Sequence, residues 1–253
     1  MYYLNGEIFD IDPKGEDFFY GYSLFETIYG IKGKLIFLEE HIKRLYLSAK
    51  QINLKINFDI VNEILKFLSH QNNKEEFMIK IQVSEKNLYI KYADFIGRES
   101  EQGVVAHFID DFYQNELGFV KSGNYLTNIL ARKNLKGFEG VFLNRNGHIT
   151  EGTISNLFFI KNNIIHTPSL KLNILPGITR EKIIEICKKN DFEVQEGFYT
   201  REELLEAQGI FFTNSLMKKG LLWVSSFENL EKEKTSQIHK IEKEYLKMLA
   251  DML

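Results

Sequence analysis

The sequence predicts an α+β protein in two lobes, and three observations carry that expectation. Short apolar runs bounded by turn residues recur as strands do, and the apolar period switches repeatedly to that of helices. A polar, unpatterned stretch at 110–118 separates two such mixed regions. The expected organisation is an N-terminal α/β domain over 1–112, a linker over 113–119 and a larger C-terminal domain over 120–253.

In chain order, Asn5-Gly6 between Tyr2-Tyr3-Leu4 and Ile8-Phe9 reads as a short hairpin. Phe25 to Tyr29 and Leu35 to Phe37 read as strands joined by a turn at Lys32-Gly33. From Leu38 the period changes: Leu38, Ile42, Leu45, Tyr46, Ala49 and Ile52 share one helical face, with charges filling the rest. A second helix is expected over about 58–70, then strands at Phe77–Val83, Leu88–Phe95 and Val104–Ile109. Beyond the linker come a helix over about 123–136 and a two-residue hairpin at Asn146-Gly147 between Val141–Asn144 and His148–Glu151. Strands at Leu157–Ile160 and Ile164–Thr167 follow. Pro176-Gly177 opens a helix to about Asn190, since proline suits the first turn, where its missing donor costs nothing. A strand at Val194–Phe198, a short helix from Arg201 and strands near Ile210–Thr213 and Leu221–Val224 come next. A last helix carries the apolar stripe Ile238, Ile241, Tyr245, Leu249 and Leu253.

The composition narrows the functional classes. With 44% hydrophobic residues over 253 positions, the chain has enough apolar material for a sizeable core. A formal net charge of −3 makes no electrostatic case for nucleic acid. No apolar run approaches the ~20 residues of a membrane span. A single cysteine, Cys187, leaves no intrachain disulfide framework and fits a reducing, cytoplasmic compartment. Its apolar setting among Ile183, Ile184 and Ile186 reads as a buried small hydrophobe. The six histidines are scattered, with no pair at metal-ligand spacing, and neither a dinucleotide fingerprint, a Walker loop nor a nucleophile elbow occurs.

Six segments then stand out. They are Gly21-Tyr22-Ser23-Leu24-Phe25-Glu26-Thr27, Glu40-His41-Ile42-Lys43-Arg44-Leu45, Lys121-Ser122-Gly123-Asn124-Tyr125-Leu126, Thr150-Glu151-Gly152-Thr153-Ile154-Ser155-Asn156-Leu157-Phe158, Leu175-Pro176-Gly177-Ile178-Thr179-Arg180 and Thr213-Asn214-Ser215-Leu216-Met217. In their order and spacing they resemble the fold-type IV pyridoxal-phosphate family of branched-chain aminotransferases, D-amino acid aminotransferases and aminodeoxychorismate lyases. The resemblance implies the family's two-lobed fold, with a small N-terminal and a larger C-terminal α/β domain. It also implies a homodimer and pyridoxal 5′-phosphate as cofactor, acting on a small-molecule substrate.

Pyridoxal phosphate needs a lysine, a carboxylate for its ring nitrogen and an anion site for its phosphate. Lys121 matches the lysine to which the family attaches the cofactor. It precedes an expected helix, whose positive dipole end would disfavour the ammonium form. Glu151 matches the carboxylate beside the ring nitrogen, and Asn156 a polar position near the cofactor. Gly177, Ile178 and Thr179 open a helix whose unpaired N–H groups suit a phosphate, and Ser215 matches a hydroxyl that also touches it. Arg44 matches the family's phosphate arginine, although the helical wheel places it off the apolar stripe, in reach of a solvated pair with Glu40. Tyr125 matches a tyrosine that bonds the ring oxygen, and Leu175 the residue on which the ring rests. Plain core roles are the alternative for both.

Within the family, D-amino acid aminotransferases carry a tyrosine at the place of Phe25 and an arginine–histidine carboxylate trap after a central strand. Here that loop is Ser84-Glu85-Lys86-Asn87. Gly123-Asn124-Tyr125-Leu126 looks branched-chain-like, whereas Phe25-Glu26-Thr27 and Thr213–Met217 resemble the lyases. The resemblance therefore favours conversion of 4-amino-4-deoxychorismate to 4-aminobenzoate and pyruvate. Lys121 would shuttle the proton and Thr27 would offer a hydroxyl near the leaving group. An aminotransferase of branched-chain or D-amino acids is the alternative, and a cofactor-carrying protein without turnover a further one. Lys80, Lys91, Arg98 and Lys218 are candidate cations for substrate carboxylates, and the sequence does not rank them.

Overall fold

A computed structural model describes residues 2–4, 7–9, 16–71, 74–95, 97, 99–113 and 116–253. The chain divides into two compact units, residues 1–95 with 120–125, and 96–119 with 126–253. This division departs from the expected boundaries at both ends of the linker. The strand over 104–113 pairs wholly with strands of the second unit, so it belongs there. Residues 120–125 instead run along a strand of the first unit, where the Phe25 N–H donates to the Lys121 carbonyl at 2.8 Å.

The first unit opens with β1 (Tyr2–Leu4) and β2 (Glu7–Phe9), an antiparallel pair as expected, whose turn lies outside the described residues. Next come α1 (Glu16–Tyr20), β3 (Leu24–Ile31), β4 (Lys34–Leu35), α2 (Leu38–Gln51), α3 (Ile60–Leu68), β5 (Glu76–Val83) and β6 (Leu88–Asp94). The sheet is antiparallel in the order β4-β3-β5-β6. Lys32 (φ 49°) and Gly33 (φ 76°) both occupy the left-handed region, as a tight primed hairpin turn demands. Alternation sends Leu24, Ile28, Ile79, Ile81 and Val83 to the buried face, while Lys80 and Lys91 point to the opposite, exposed one.

Helix α2 differs from its wheel. Its buried residues are His41, Arg44, Leu45, Ser48 and Ala49, whereas Tyr46, expected on the stripe, is exposed. The rotation follows from charge pairing: Glu26 on β3 is buried, and His41 and Arg44 turn inward to meet it. Arg44 is thus part of the core, contrary to the solvated reading. Helix α1 carried no apolar period to announce it and was not expected.

The second unit contains β7 (Val104–Tyr113), α4 (Leu126–Lys133), β8 (Glu139–Leu143), β9 (Ile149–Gly152), β10 (Asn156–Lys161), β11 (Ile164–Pro168), α5 (Ile178–Lys189), β12 (Val194–Gly197), α6 (Arg201–Leu205), β13 (Gly209–Thr213), β14 (Leu222–Phe227), β15 (Leu230–Glu231) and α7 (Ser236–Met252). They form a nine-stranded mixed sheet in the order β12-β11-β10-β13-β14-β7-β8-β9, with β15 beside β14. The hairpin after β8 is longer than two residues. Asn144 pairs with His148 across Arg145-Asn146-Gly147, and the Asn144 side chain accepts from the Asn146 and His148 N–H groups. One core lies among Leu157, Phe159, Ile210, Phe212, Leu222, Val224 and Phe227. On the neighbouring positions Phe158 and Phe211 stack at 4.9 Å, and α5 packs against α7. Cys187 is fully buried on α5, and burial pushes its thiol up to about 12, as suits an inert core group. Among the described residues no helix is long and apolar enough to cross a membrane, and no group of three or more His, Cys, Asp or Glu side chains is placed to hold a metal ion.

Candidate active site

The candidate residues fall into two groups, one in each unit, and each has its own internal order.

In the first unit, residues 120–125 are stitched to the start of β3. Leu24 bridges Ser122, the Gly123 N–H donates to the Ser23 carbonyl at 2.7 Å, and a Cβ on Gly123 would meet Ser23 Oγ at 2.3 Å. A side chain there would have to displace the Ser23 hydroxyl. The stitching presents Lys121 beside the outer face of β3, where its Nζ lies 4.4 Å from the centre of the Phe25 ring and 5.7 Å from that of Tyr125. Phe25 and Tyr125 meet edge to face at 5.5 Å. Thr27 shares that outer face by alternation and is half-buried, directly opposite Lys80 in the register of β5. Lys121 sits in this extended segment and not at a helix start, because α4 begins only at Leu126. The helix-dipole argument for its proton therefore lapses, since that effect fades within one turn.

On the inner face of the same sheet lies a group the sequence reading missed. Arg44 Nε donates to Glu26 Oε1 at 2.8 Å and its Nη2 to Oε2 at 2.6 Å, while His41 Nδ1 stands 2.7 Å from Oε2. Burial acts to raise the Glu26 pKa, but the Arg44 guanidinium and the hydrogen bonds from His41 and Arg44 outweigh it, holding the group at about 2. Burial lowers the His41 pKa, with Glu26 opposing and the positive charges of Arg44 and Lys121 adding to the fall. The available signal was a carboxylate at an inward position, between Leu24 and Ile28.

In the second unit, Glu151, Asn156, Leu175, Gly177 and Thr213 converge. Glu151 Oε2 accepts from Asn156 Nδ2 at 3.2 Å and from the Leu175 N–H at 3.1 Å, and Asn156 Nδ2 also donates to the Leu175 carbonyl at 2.9 Å. A Cβ on Gly177 would come within 2.0 Å of Asn156 Oδ1, so the backbone fits there only without a side chain. Gly177 caps α5 in an extended conformation, Ile178 and Thr179 form its first turn, and both are buried. β10 sets Asn156 opposite Thr213, whose buried hydroxyl has no hydrogen-bond partner among the described residues. The turn that carries Ser215 is held by Asn214, which accepts from the Leu216 N–H at 2.9 Å and donates to the Ile154 carbonyl at 3.2 Å.

Glu139 organises the turn that carries the Thr153–Asn156 tract, and it too was missed. It is fully buried, and Oε1 accepts from the N–H groups of Thr153 (2.9 Å) and Gly140 (3.0 Å) and from the Thr153 hydroxyl. Oε2 accepts from Ser155 Oγ at 2.7 Å and the Ile154 N–H at 3.4 Å. Arg132 Nη1 stands 3.6 Å from Oε1. A buried carboxylate so satisfied is a rigid bracket. Its signal in the sequence was a glutamate at the head of the apolar strand Val141–Leu143.

The family model for amino-transferase class IV matches residues 23–226. The chain belongs to that family. Class IV aminotransferases depend on pyridoxal phosphate. The chain is 31% identical to D-alanine aminotransferase of Bacillus licheniformis, over 81% of this chain and 79% of that protein. It is 28% identical to aminodeoxychorismate lyase of Bacillus subtilis, over 86% and 84%. Among solved structures, a Legionella pneumophila protein provisionally named 4-amino-4-deoxychorismate lyase superposes with a TM-score of 0.83 at 27% identity, covering 96% of each chain. The fold expected from the resemblance is thus the fold observed, a class IV α/β architecture.

Proposed function

We propose that this protein binds pyridoxal 5′-phosphate and converts 4-amino-4-deoxychorismate to 4-aminobenzoate and pyruvate, a step of folate synthesis. The donor set suits the cofactor. An anchored carboxylate, an amide and a helix start with no Cβ at its cap lie together in one unit, and a lysine against two aromatic rings lies in the other. In this reading Lys121 holds the cofactor, with Tyr125 beside it. Glu151, steadied by Asn156, faces its ring nitrogen, Leu175 supports the ring, and Gly177, Ile178, Thr179, Ser215 and Arg44 receive its phosphate. When bound, pyridoxal phosphate supplies an electron sink for the carbon that carries the substrate's amine.

The chain's own groups do the rest. Lys121 Nζ takes the proton from that carbon. The bond from the neighbouring carbon to the enolpyruvyl oxygen breaks, and Thr27 is assigned to donate a hydrogen bond to the departing oxygen. Formation of the aromatic ring drives the step, and proton return yields pyruvate. The observation that carries the lyase reading is Phe25. Its ring stands 4.4 Å from Lys121 Nζ, without a hydroxyl, where the resemblance places a tyrosine in D-amino acid aminotransferases.

A second reading, transamination, rests on the 31% identity to a D-alanine aminotransferase. Against it, the turn after β5 is a closed Ser84–Asn87 loop held by Ser84 Oγ and Asp17, with no arginine or histidine to trap a carboxylate. The exposed stripe Leu126, Ile129 and Leu130 on α4 supports a homodimer, which light scattering would register as twice the monomer mass. The deciding assay mixes the protein with aminodeoxychorismate and no keto acid. Pyruvate and 4-aminobenzoate should form over many turnovers, while D-alanine, L-leucine and L-glutamate should barely change the cofactor's absorbance. Brisk change with an amino acid and no pyruvate would replace the lyase reading with the transaminase one.

A further inference from the structure

The outer face of the four-stranded sheet carries two lysines in a costly arrangement. Lys80 on β5 and Lys91 on β6 stand directly opposite one another in the antiparallel register, and both are exposed. Like charges placed so destabilise a sheet, because their Cβ atoms are only about 4.5–5.5 Å apart. Among the described residues neither lysine makes an ion pair, and Lys91 is the charge that acts on Lys80. The residue as a whole is exposed, but partial desolvation of its ammonium, which lies against the Phe25 ring, and that neighbour together lower the Lys80 pKa. Of the other candidate cations, Lys218 stands 3.5 Å from Glu99, and Arg98 lies outside the described residues.

A second observation connects this pair to the proposed chemistry. Lys80 Nζ lies 4.5 Å from the centre of the Phe25 ring, and Lys121 Nζ lies 4.4 Å from the same centre. One small molecule can therefore reach both ammonium groups. Phe25 offers it an apolar surface, and Gln82, hydrogen-bonded to Ser23 at 3.0 Å, continues the face along β5.

We propose that Lys80 and Lys91 form the anion subsite for the amine substrate, taking a carboxylate set apart from the reacting carbon, so that the chain selects dicarboxylic ring substrates over simple monocarboxylic amino acids. The fold holds two cations side by side at a cost, and a carboxylate between them offsets that cost. The inference rests on the assignment of Lys121 as the cofactor lysine, and it deepens that reading by naming what recognises the substrate.

The probe is isophthalate, a planar ring with two carboxylates, with isophthalamide as its neutral counterpart. Both are titrated calorimetrically into the protein loaded with pyridoxal phosphate. Wild type should prefer isophthalate, with affinity falling as salt rises. The Lys80→Met/Lys91→Met variant should bind isophthalate about tenfold more weakly, as two exposed charge contacts suggest. Its affinity for isophthalamide should be unchanged, and Lys80→Arg/Lys91→Arg, which keeps both charges, should bind isophthalate nearly as wild type does. In steady state the double variant should raise KM for aminodeoxychorismate with little change in kcat. Both lysines are exposed, so folding should survive, and circular dichroism would verify it. Equal isophthalate affinity in wild type and double variant would overturn the proposal, as would equal affinity of wild type for the diamide. Borohydride labelling of the same samples keeps the two readings apart. Loss of the label from Lys121 sinks the cofactor assignment, whereas an intact label with unchanged isophthalate affinity sinks only the subsite.

Discussion

Arg44→Ala should destabilise the protein far more than a surface arginine would, and its effect should depend on pH in a particular direction. The guanidinium holds both oxygens of Glu26, at 2.8 and 2.6 Å, and Glu26 is only 1% exposed. Removing one partner of a buried pair costs about 3–5 kcal/mol, because the remaining charge stays desolvated. The displacement of the Glu26 pKa from 4.5 to about 2 gives a similar figure, about 3 kcal/mol at 1.36 kcal/mol per unit. With a urea slope of about 3 kcal/mol/M, the midpoint at pH 7 should fall by roughly 1 M. The sign with pH follows from linkage. In wild type the Glu26 carboxylate contributes stability above pH 4.5 and loses it as pH falls through about 2. In the variant, burial without the guanidinium leaves the carboxyl binding a proton on folding, so the deficit against wild type should shrink between pH 7 and pH 5. Equal midpoints at pH 7, or a deficit that does not change with pH, would refute this account of α2. Arg44→Met combined with Glu26→Gln should recover part of the loss, since no lone charge then remains buried.

Two further substitutions test the second unit. Gly177→Ala should cost roughly 1–3 kcal/mol and weaken pyridoxal phosphate binding, because its Cβ would lie 2.0 Å from Asn156 Oδ1 and displace the amide that steadies Glu151. Thermal melting and a cofactor titration would register both effects, and a neutral result would mean that Asn156 can move freely. Glu139→Ala should leave the Gly140 N–H and the buried Ser155 hydroxyl without the carboxylate they donate to, at about 1–3 kcal/mol each. A melting temperature lowered by roughly 10 °C is expected, and a change within about 2 °C would show that the bracket is dispensable.

Periodicity was a good guide where one physical cause set it. Strands β3, β5 and β6, α5 from Pro176-Gly177 and the stripe of α7 through Tyr245 and Leu249 lie close to where the sequence placed them, whereas the strand expected at Leu35–Phe37 is only Lys34–Leu35, because Phe37 turns into the left-handed region to cap α2. The errors came where polar groups enter the interior. Helix α2 was rotated on its wheel because a wheel ranks residues by hydrophobicity and cannot know that Glu26, on another element, awaits His41 and Arg44. The hairpin after β8 gained a residue because the Asn144 side chain, not the Asn146-Gly147 dipeptide alone, shapes it. The linker was misplaced because β7 continues through polar Asp110 and Asp111, an alternation too polar to read as a strand. The candidate residues of the second unit were legible through the resemblance, and the structure brings Glu151, Asn156, Leu175 and Gly177 together. Glu139 and the Glu26 group were illegible because most of their partners are distant in sequence and three of those of Glu139 are backbone N–H groups, which carry no residue signature.

The measurement that tests the central assignment most directly is reductive trapping. Protein loaded with pyridoxal phosphate is treated with borohydride, digested and mapped by mass spectrometry. Lys121, whose Nζ faces the Phe25 and Tyr125 rings, should carry the pyridoxyl group, and Lys121→Ala should carry none. A pyridoxyl group on Lys80 or any other lysine, or an unlabelled wild-type protein, would contradict it.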